Sequence, residues 1–220
     1  LTAGRPLAQA LLRRWYRLEL HAADKVPATG PVVMAANHVG WIDGPLLGIC
    51  SPRPVHALTK QEMFSHGMGG FLRASGQIPL DRFRVDVRAI RIAVQALHEG
   101  LAVGVFPEGT RGAGDMSSPR AGAAYLALVT GAPVVPVSFL GTRVPGGSDS
   151  SIPPRGSRIA MTFGDPVRLE SRPWPRTQHQ VDEAAQIVTS AILKTIREAE
   201  QSTGMTLPGP LGPKREKKRT

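Results

Sequence analysis

The sequence predicts a single α/β domain, and three observations carry that expectation. Beyond the dipeptide Gly30-Pro31, short apolar runs of strand length alternate with segments of helical period. At 220 residues the chain suffices for one well-packed domain and is short for two. Apolar residues make up 41% of it, an ordinary share for a globular protein, and no internal repeat is visible. The expected architecture is a central, mostly parallel or mixed sheet flanked by helices, preceded by an N-terminal amphipathic helix. Residues 1–26 are assigned to that helix, 27–203 to the main domain and 204–220 to a disordered basic tail.

The elements follow in order. The opening segment places Leu7, Leu11, Trp15 and Leu18 on one helical stripe, with Arg13 and Arg17 roughly opposite. Such a helix either packs on the core or lies in a membrane interface with its arginines toward headgroups. Val32 to Ala36 reads as a short buried strand, and Gly44-Pro45 opens a helix through about Ile49. Val55 to Thr59 reads as the next strand. A firmer helix covers about Val85 to Glu99, with Val87, Ile90, Val94 and Leu97 on one face and Gly100 as its stop. Leu101–Phe106, Pro133–Phe139 and Arg158–Phe163 supply further strands; in the last, Ile159, Met161 and Phe163 alternate inward. A long helix runs from about Val181 to Gln201 with Val181, Ala184, Val188, Ile192 and Thr195 inside. The Pro- and Gly-rich stretch after it reads as disordered.

Charge narrows the function classes. The net charge is +10, from 27 basic and 17 acidic residues, which favours a polyanionic partner. Five basic residues and one acid lie between Lys214 and Arg219, and five basic against two acidic lie in the first 25 residues. Aromatics are 5%, and no aromatic pair suited to base stacking stands among basic residues, so anionic lipid is expected rather than nucleic acid. No apolar stretch of about 18 residues lacks a charge or a breaker, and no leader with a small-residue cleavage site is visible. The single cysteine, Cys50, excludes an intramolecular disulfide and suits a reducing cytoplasm.

Two segments carry chemistry. Asn37 to Pro45 leaves a strand with His38 and, five residues later, Asp43, while Gly40 lets the turn close. A free imidazole titrates near ~6.5 and serves as a base toward an alcohol; a carboxylate on its other nitrogen fixes the tautomer. No serine stands in a nucleophile elbow, so the pair points to direct transfer to an acceptor. The alternative reading makes Asp43 a helix N-cap and His38 a buried imidazole. The second segment, Phe106 to Gly112, also follows a strand. Gly109 and Gly112 are expected to leave backbone N–H groups accessible, Thr110 adds a hydroxyl, and Arg111 offers a fork suited to phosphate. Its alternative is a loop in which Glu108 and Arg111 pair with each other. Arg82 and Lys60 are candidate further cations for the same phosphate.

Taken in order, these segments resemble the glycerolipid acyltransferase family, in particular 1-acyl-glycerol-3-phosphate (lysophosphatidate) acyltransferases. The N-H-x-x-x-x-D block matches Asn37, His38 and Asp43; G-x-I-x-x-x-R matches Gly76, Ile78 and Arg82; F-P-E-G-T-R matches Phe106 through Arg111. A V-P-V strand matches Val135 to Val137, followed by Gly141. Where the family often has a serine after the third block and later a lysine before a glycine, this chain has Gly112 and Arg120. The resemblance implies that His38 deprotonates the acceptor hydroxyl and Asp43 orients it. It implies that Arg82, Glu108, Gly109, Thr110 and Arg111 hold the acceptor, and Asn37 and Lys60 are assigned to substrate binding beside them. The donor is then an acyl-CoA or acyl carrier protein thioester, with no metal or cofactor. The expected location is cytoplasmic, peripheral on the inner face of the cell membrane.

Overall fold

The computed structural model describes residues 4–65, 67–172 and 174–212. Among these residues six α-helices and seven strands form three layers. In chain order they are α1 (Arg5–Trp15), β1 (Arg17–His21), β2 (Val32–Ala36), α2 (Asp43–Cys50), β3 (Val55–Lys60), α3 (Gly69–Ala74) and β4 (Ile78–Leu80). Then follow α4 (Val87–His98), β5 (Ala102–Val105), α5 (Gly122–Thr130), β6 (Val134–Leu140), β7 (Arg158–Phe163) and α6 (Gln178–Thr203). The sheet order is β1-β7-β6-β2-β5-β3-β4. β2 to β6 run parallel to one another, whereas β7 is antiparallel to β6 and takes β1 along with it. The sheet is therefore mixed, as expected.

Both faces are buried, which is why the central strands are apolar without alternation. On one face Val33, Ala35, Val103 and Val105 meet Ala93 and Leu97 of α4, Leu126 of α5 and Ile192 of α6. On the other, Val32, Met34, Val135 and Phe139 meet Leu46 and Leu47 of α2. The longest helix, α6, is opened by a reciprocal cap between Thr177 and Gln180 and closed by Gly204 at φ 67°.

Several expectations change. The first helix stops at Trp15, and Leu18 belongs to β1, whose partner β7 lies 141 positions on in register (Leu18 opposite Ile159). β7 buries both faces rather than only Ile159, Met161 and Phe163, because α6 covers Ala160 and Thr162. In α4 the inner face is built on Ala89, Ala93, Ala96 and Leu97, and Val87 is 54% exposed. Small residues there let the helix approach the sheet closely. Residues 204–212, read as part of a tail, lie on the domain: Leu207 packs on the core and its N–H bonds Glu200. The basic run Lys214–Arg219 lies outside the described residues.

Candidate active site

Parallel strands bring their carboxyl ends to one edge, and four connections gather there: those after β2, β3, β4 and β5. The loop after β2 holds His38. Its Nδ1 lies 2.8 Å from Asp43 Oδ2, and the same oxygen accepts the N–H groups of Val39 and Gly40, each at 2.8 Å. Asp43 is fully buried, stands at the first position of α2 and caps nothing, so the N-cap alternative does not hold. Because Nδ1–H is taken by the carboxylate, Nε2 is left as the acceptor, and His38 lines a cavity. Gly40 is required by close approach: a Cβ there would lie 2.2 Å from the carbonyl oxygen of Thr142. The His38 ring stacks on Phe106, with centroids 4.2 Å apart.

The loop after β5 grips the backbone of His38 from both sides. Glu108 Oε1 accepts the His38 N–H at 2.9 Å, and the Gly112 N–H donates to His38 O at 2.9 Å. Glu108 thus faces inward and does not pair with Arg111, which instead donates to Asp149 O at 2.7 Å. Burial pushes the Glu108 carboxyl up to about 7, opposed by hydrogen bonds from His38 and Gly114 and helped by the charge of Asp115. The N–H groups of Gly109 and Gly112 are not free for a phosphate, since they bond Phe106 O and His38 O. What this loop offers a ligand is side chains, Thr110 and Arg111, joined in the cavity lining by Arg82 from the connection after β4.

Arg82 donates from Nη1 to Gly109 O at 2.9 Å, while its buried Nε has no partner. Arg120, in the place where the family often has lysine, donates to Arg82 O at 2.9 Å and lies against Gly109, whose φ of +66° suits glycine. Lys60, Arg82, Gly109, Thr110 and Arg111 all line the cavity with His38. Asn37 does not. It is fully buried, its Nδ2 donating to Phe139 O at 3.1 Å and its Oδ1 accepting the Phe139 N–H at 2.7 Å. Asn37 and Glu108 therefore hold the loops that carry the site, and neither lines the cavity.

The cavity measures about 210 Å³. His38 and the cationic Lys60, Arg82 and Arg111 share its lining with apolar Ala57, Leu58, Met63, Leu72 and Leu80. Cys50 is buried away from it, its thiol pushed up to about 11 by burial, as befits a core residue.

One residue escaped sequence reasoning. Arg143, 2% exposed, donates from Nε to Val39 O (2.9 Å) and from Nη2 to Gly112 O (3.0 Å). It also bonds the carbonyls of Gly147, Pro210 and Gly209. One guanidinium so ties the His38 loop, the Glu108 loop and the C-terminal segment together. The available signal was a lone arginine closing an otherwise apolar strand region after Gly141-Thr142.

Comparison with known proteins shows the family of the chain. The profile of the acyltransferase family matches residues 17–140, more than half of the chain, and the chain belongs to that family. Among its relatives, a 1-acyl-sn-glycerol-3-phosphate acyltransferase of Bacillus subtilis is 33% identical over 126 residues, which cover 56% of this chain and 63% of that protein. A lyso-ornithine lipid O-acyltransferase of Pseudomonas aeruginosa is 36% identical over 115 residues, covering 48% and 43% respectively. The chain thus matches less than two thirds of the length of these relatives. The crystal structure of the 1-acyl-sn-glycerophosphate acyltransferase PlsC from Thermotoga maritima superposes with a TM-score of 0.64. That match covers 86% of this chain and 77% of that one at 22% identity, and shows the shared fold.

Proposed function

We propose that the protein transfers a fatty acyl group from an acyl-CoA or acyl carrier protein thioester to the free hydroxyl of lysophosphatidate, giving phosphatidate. The observation that carries this reading is the position of His38. Asp43 holds one ring nitrogen, and the other is left for a cavity whose lining joins three cationic side chains to apolar ones. In the reaction Nε2 takes the proton of the acceptor hydroxyl as its oxygen attacks the thioester carbonyl. The C–S bond breaks, the thiolate leaves, and the imidazolium returns the proton to sulfur. Asp43, bonded to three N–H groups, stabilises the imidazolium while it lasts. Arg82, Arg111 and Lys60 hold the phosphate, and the apolar part of the cavity receives the acyl chain.

The reaction takes place at a membrane surface. No helix among the described residues is long and apolar enough to cross a bilayer. In α1, Leu7, Leu11 and Trp15 are 69%, 53% and 46% exposed along one stripe, which suits an interfacial helix on the inner face of the cell membrane.

A second acceptor is favoured by the similarity to the lyso-ornithine lipid enzyme and by Arg120 at the lysine position. Purified protein assayed with one thioester against lysophosphatidate, lyso-ornithine lipid and other lysolipids separates the readings. Lysophosphatidate is expected to rank first; its ranking among the poorest acceptors would transfer the activity to another lysolipid.

A further inference from the structure

The connection from β4 to α4 reads Asp81-Arg82-Phe83-Arg84-Val85-Asp86, and it exposes apolar side chains that belong to none of the core clusters. Phe83 and Val85 are 83% and 85% exposed, more than any other large apolar residue among those described. Val87, at the start of α4, is 54% exposed. The loop is held in shape. Asp81 Oδ1 accepts the Phe83 N–H at 2.9 Å, Asp86 Oδ2 accepts the Asp81 N–H at 2.9 Å, and Asp86 Oδ1 caps α4 at the Ala89 N–H, 3.0 Å away. Both carboxylates are thus turned onto backbone while the apolar tips point outward. Asp81 also meets Arg84 at 3.1 Å, an exposed pair that contributes little.

The loop starts at the rim of the site. Arg82 lines the cavity, and its guanidinium lies 5.9 Å from the Phe83 ring centroid. Between residues 81 and 91 stand Arg82, Arg84, Arg88 and Arg91 against two aspartates. Apolar side chains interleaved with arginines match the boundary of an anionic bilayer, where rings and branched chains enter the acyl zone and guanidinium groups meet phosphate. A protein partner would ask for a flatter apolar patch with its charges at the rim.

We propose that this loop docks the protein on an anionic lipid surface, with Phe83 and Val85 inserted and Arg84 and Arg88 at the headgroups. The mouth of the cavity then lies where a lysolipid leaves the bilayer. The need for lipid entry rests on the acyltransferase reading; the docking itself is read from exposure and charge.

The test compares the full chain with Phe83→Ser/Val85→Ser, by cosedimentation with vesicles of phosphatidylcholine and phosphatidylglycerol. Binding of the double variant is expected to fall about tenfold, with melting temperature unchanged because both side chains already face water. Val85→Ser alone, which leaves the Arg82–Phe83 contact in place, should shift binding less but in the same direction. Turnover of vesicle-embedded lysolipid should fall in step, while turnover of a monomeric short-chain lysolipid holds. Undiminished vesicle binding by the double variant overturns the proposal. So does a loss confined to carrier-protein thioesters, which would make the loop a protein-docking site, or a loss of self-association on a sizing column. If the chain acylates no lysolipid at all, the acyltransferase reading falls, and vesicle binding still decides this one.

Discussion

A single oxygen of Asp43 collects three N–H groups, from the His38 ring and the backbones of Val39 and Gly40, each at 2.8 Å. Its other oxygen, Oδ1, is buried without a partner. Asp43→Asn keeps an acceptor for these donors but removes the charge that stabilises an imidazolium. Turnover is expected to fall by about 10²–10⁴-fold. The new NH₂ enters the partnerless position and costs about 1–3 kcal/mol of stability. Steady-state kinetics beside urea denaturation check both; unchanged turnover would remove Asp43 from the chemistry.

Arg143 lends one guanidinium to five carbonyls of four segments. Arg143→Met is expected to lower stability by about 2–4 kcal/mol, because those carbonyls lose a buried donor. Lysine, with a point charge in place of a fork, should recover only part of that. Turnover measured where each variant is fully folded should rank in the same order, since Val39 adjoins His38.

Glu108 gives a pH signature. Its carboxyl ordinarily titrates at 4.5 and is pushed up to about 7 by burial. Between those values the unfolded chain releases the proton and the folded one keeps it, so stability falls as pH rises through that window and stays lower above it. Glu108→Gln cannot ionise yet still accepts the His38 N–H. Urea midpoints for the variant should be flatter across the window and higher than wild type above pH 7. An identical slope in both proteins would show that Glu108 does not titrate there.

Gly48 lines the apolar part of the cavity, and a Cβ there meets only Val55 O at 4.0 Å. Gly48→Leu should therefore fold, gaining about 0.5–1 kcal/mol of helix propensity, while filling space that the proposal gives to the acyl chain. Long-chain thioesters are expected to lose about tenfold relative to short ones in a competition assay. An unchanged chain-length profile would place the acyl group elsewhere.

What the sequence made legible follows physical lines. β2, β5, β6 and β7 were readable because burial on both faces demands apolar runs. β1 was not, since Leu18 continues the helical spacing of Leu7, Leu11 and Trp15, and only β7, far along the chain, makes Arg17–His21 a strand. β4 is three residues long with Pro79 inside it, too short for a period. In the site, His38 and Asp43 could be paired by spacing, because the contact is local. The directions of Asn37 and Glu108 could not: each is set by a partner about 70 to 100 positions away, Glu108 by the His38 N–H and Asn37 by Phe139. Arg143 belonged to no motif, and its work is done entirely on backbone carbonyls.

The most direct test is thioester consumption with lysophosphatidate by wild type and His38→Ala, with melting temperatures alongside. Wild type is expected to release free thiol and form phosphatidate, and the variant to lose at least about 10²-fold while melting within a few degrees of wild type. A folded His38→Ala protein that still turns over at the wild-type rate would contradict the proposal that this imidazole takes the acceptor's proton.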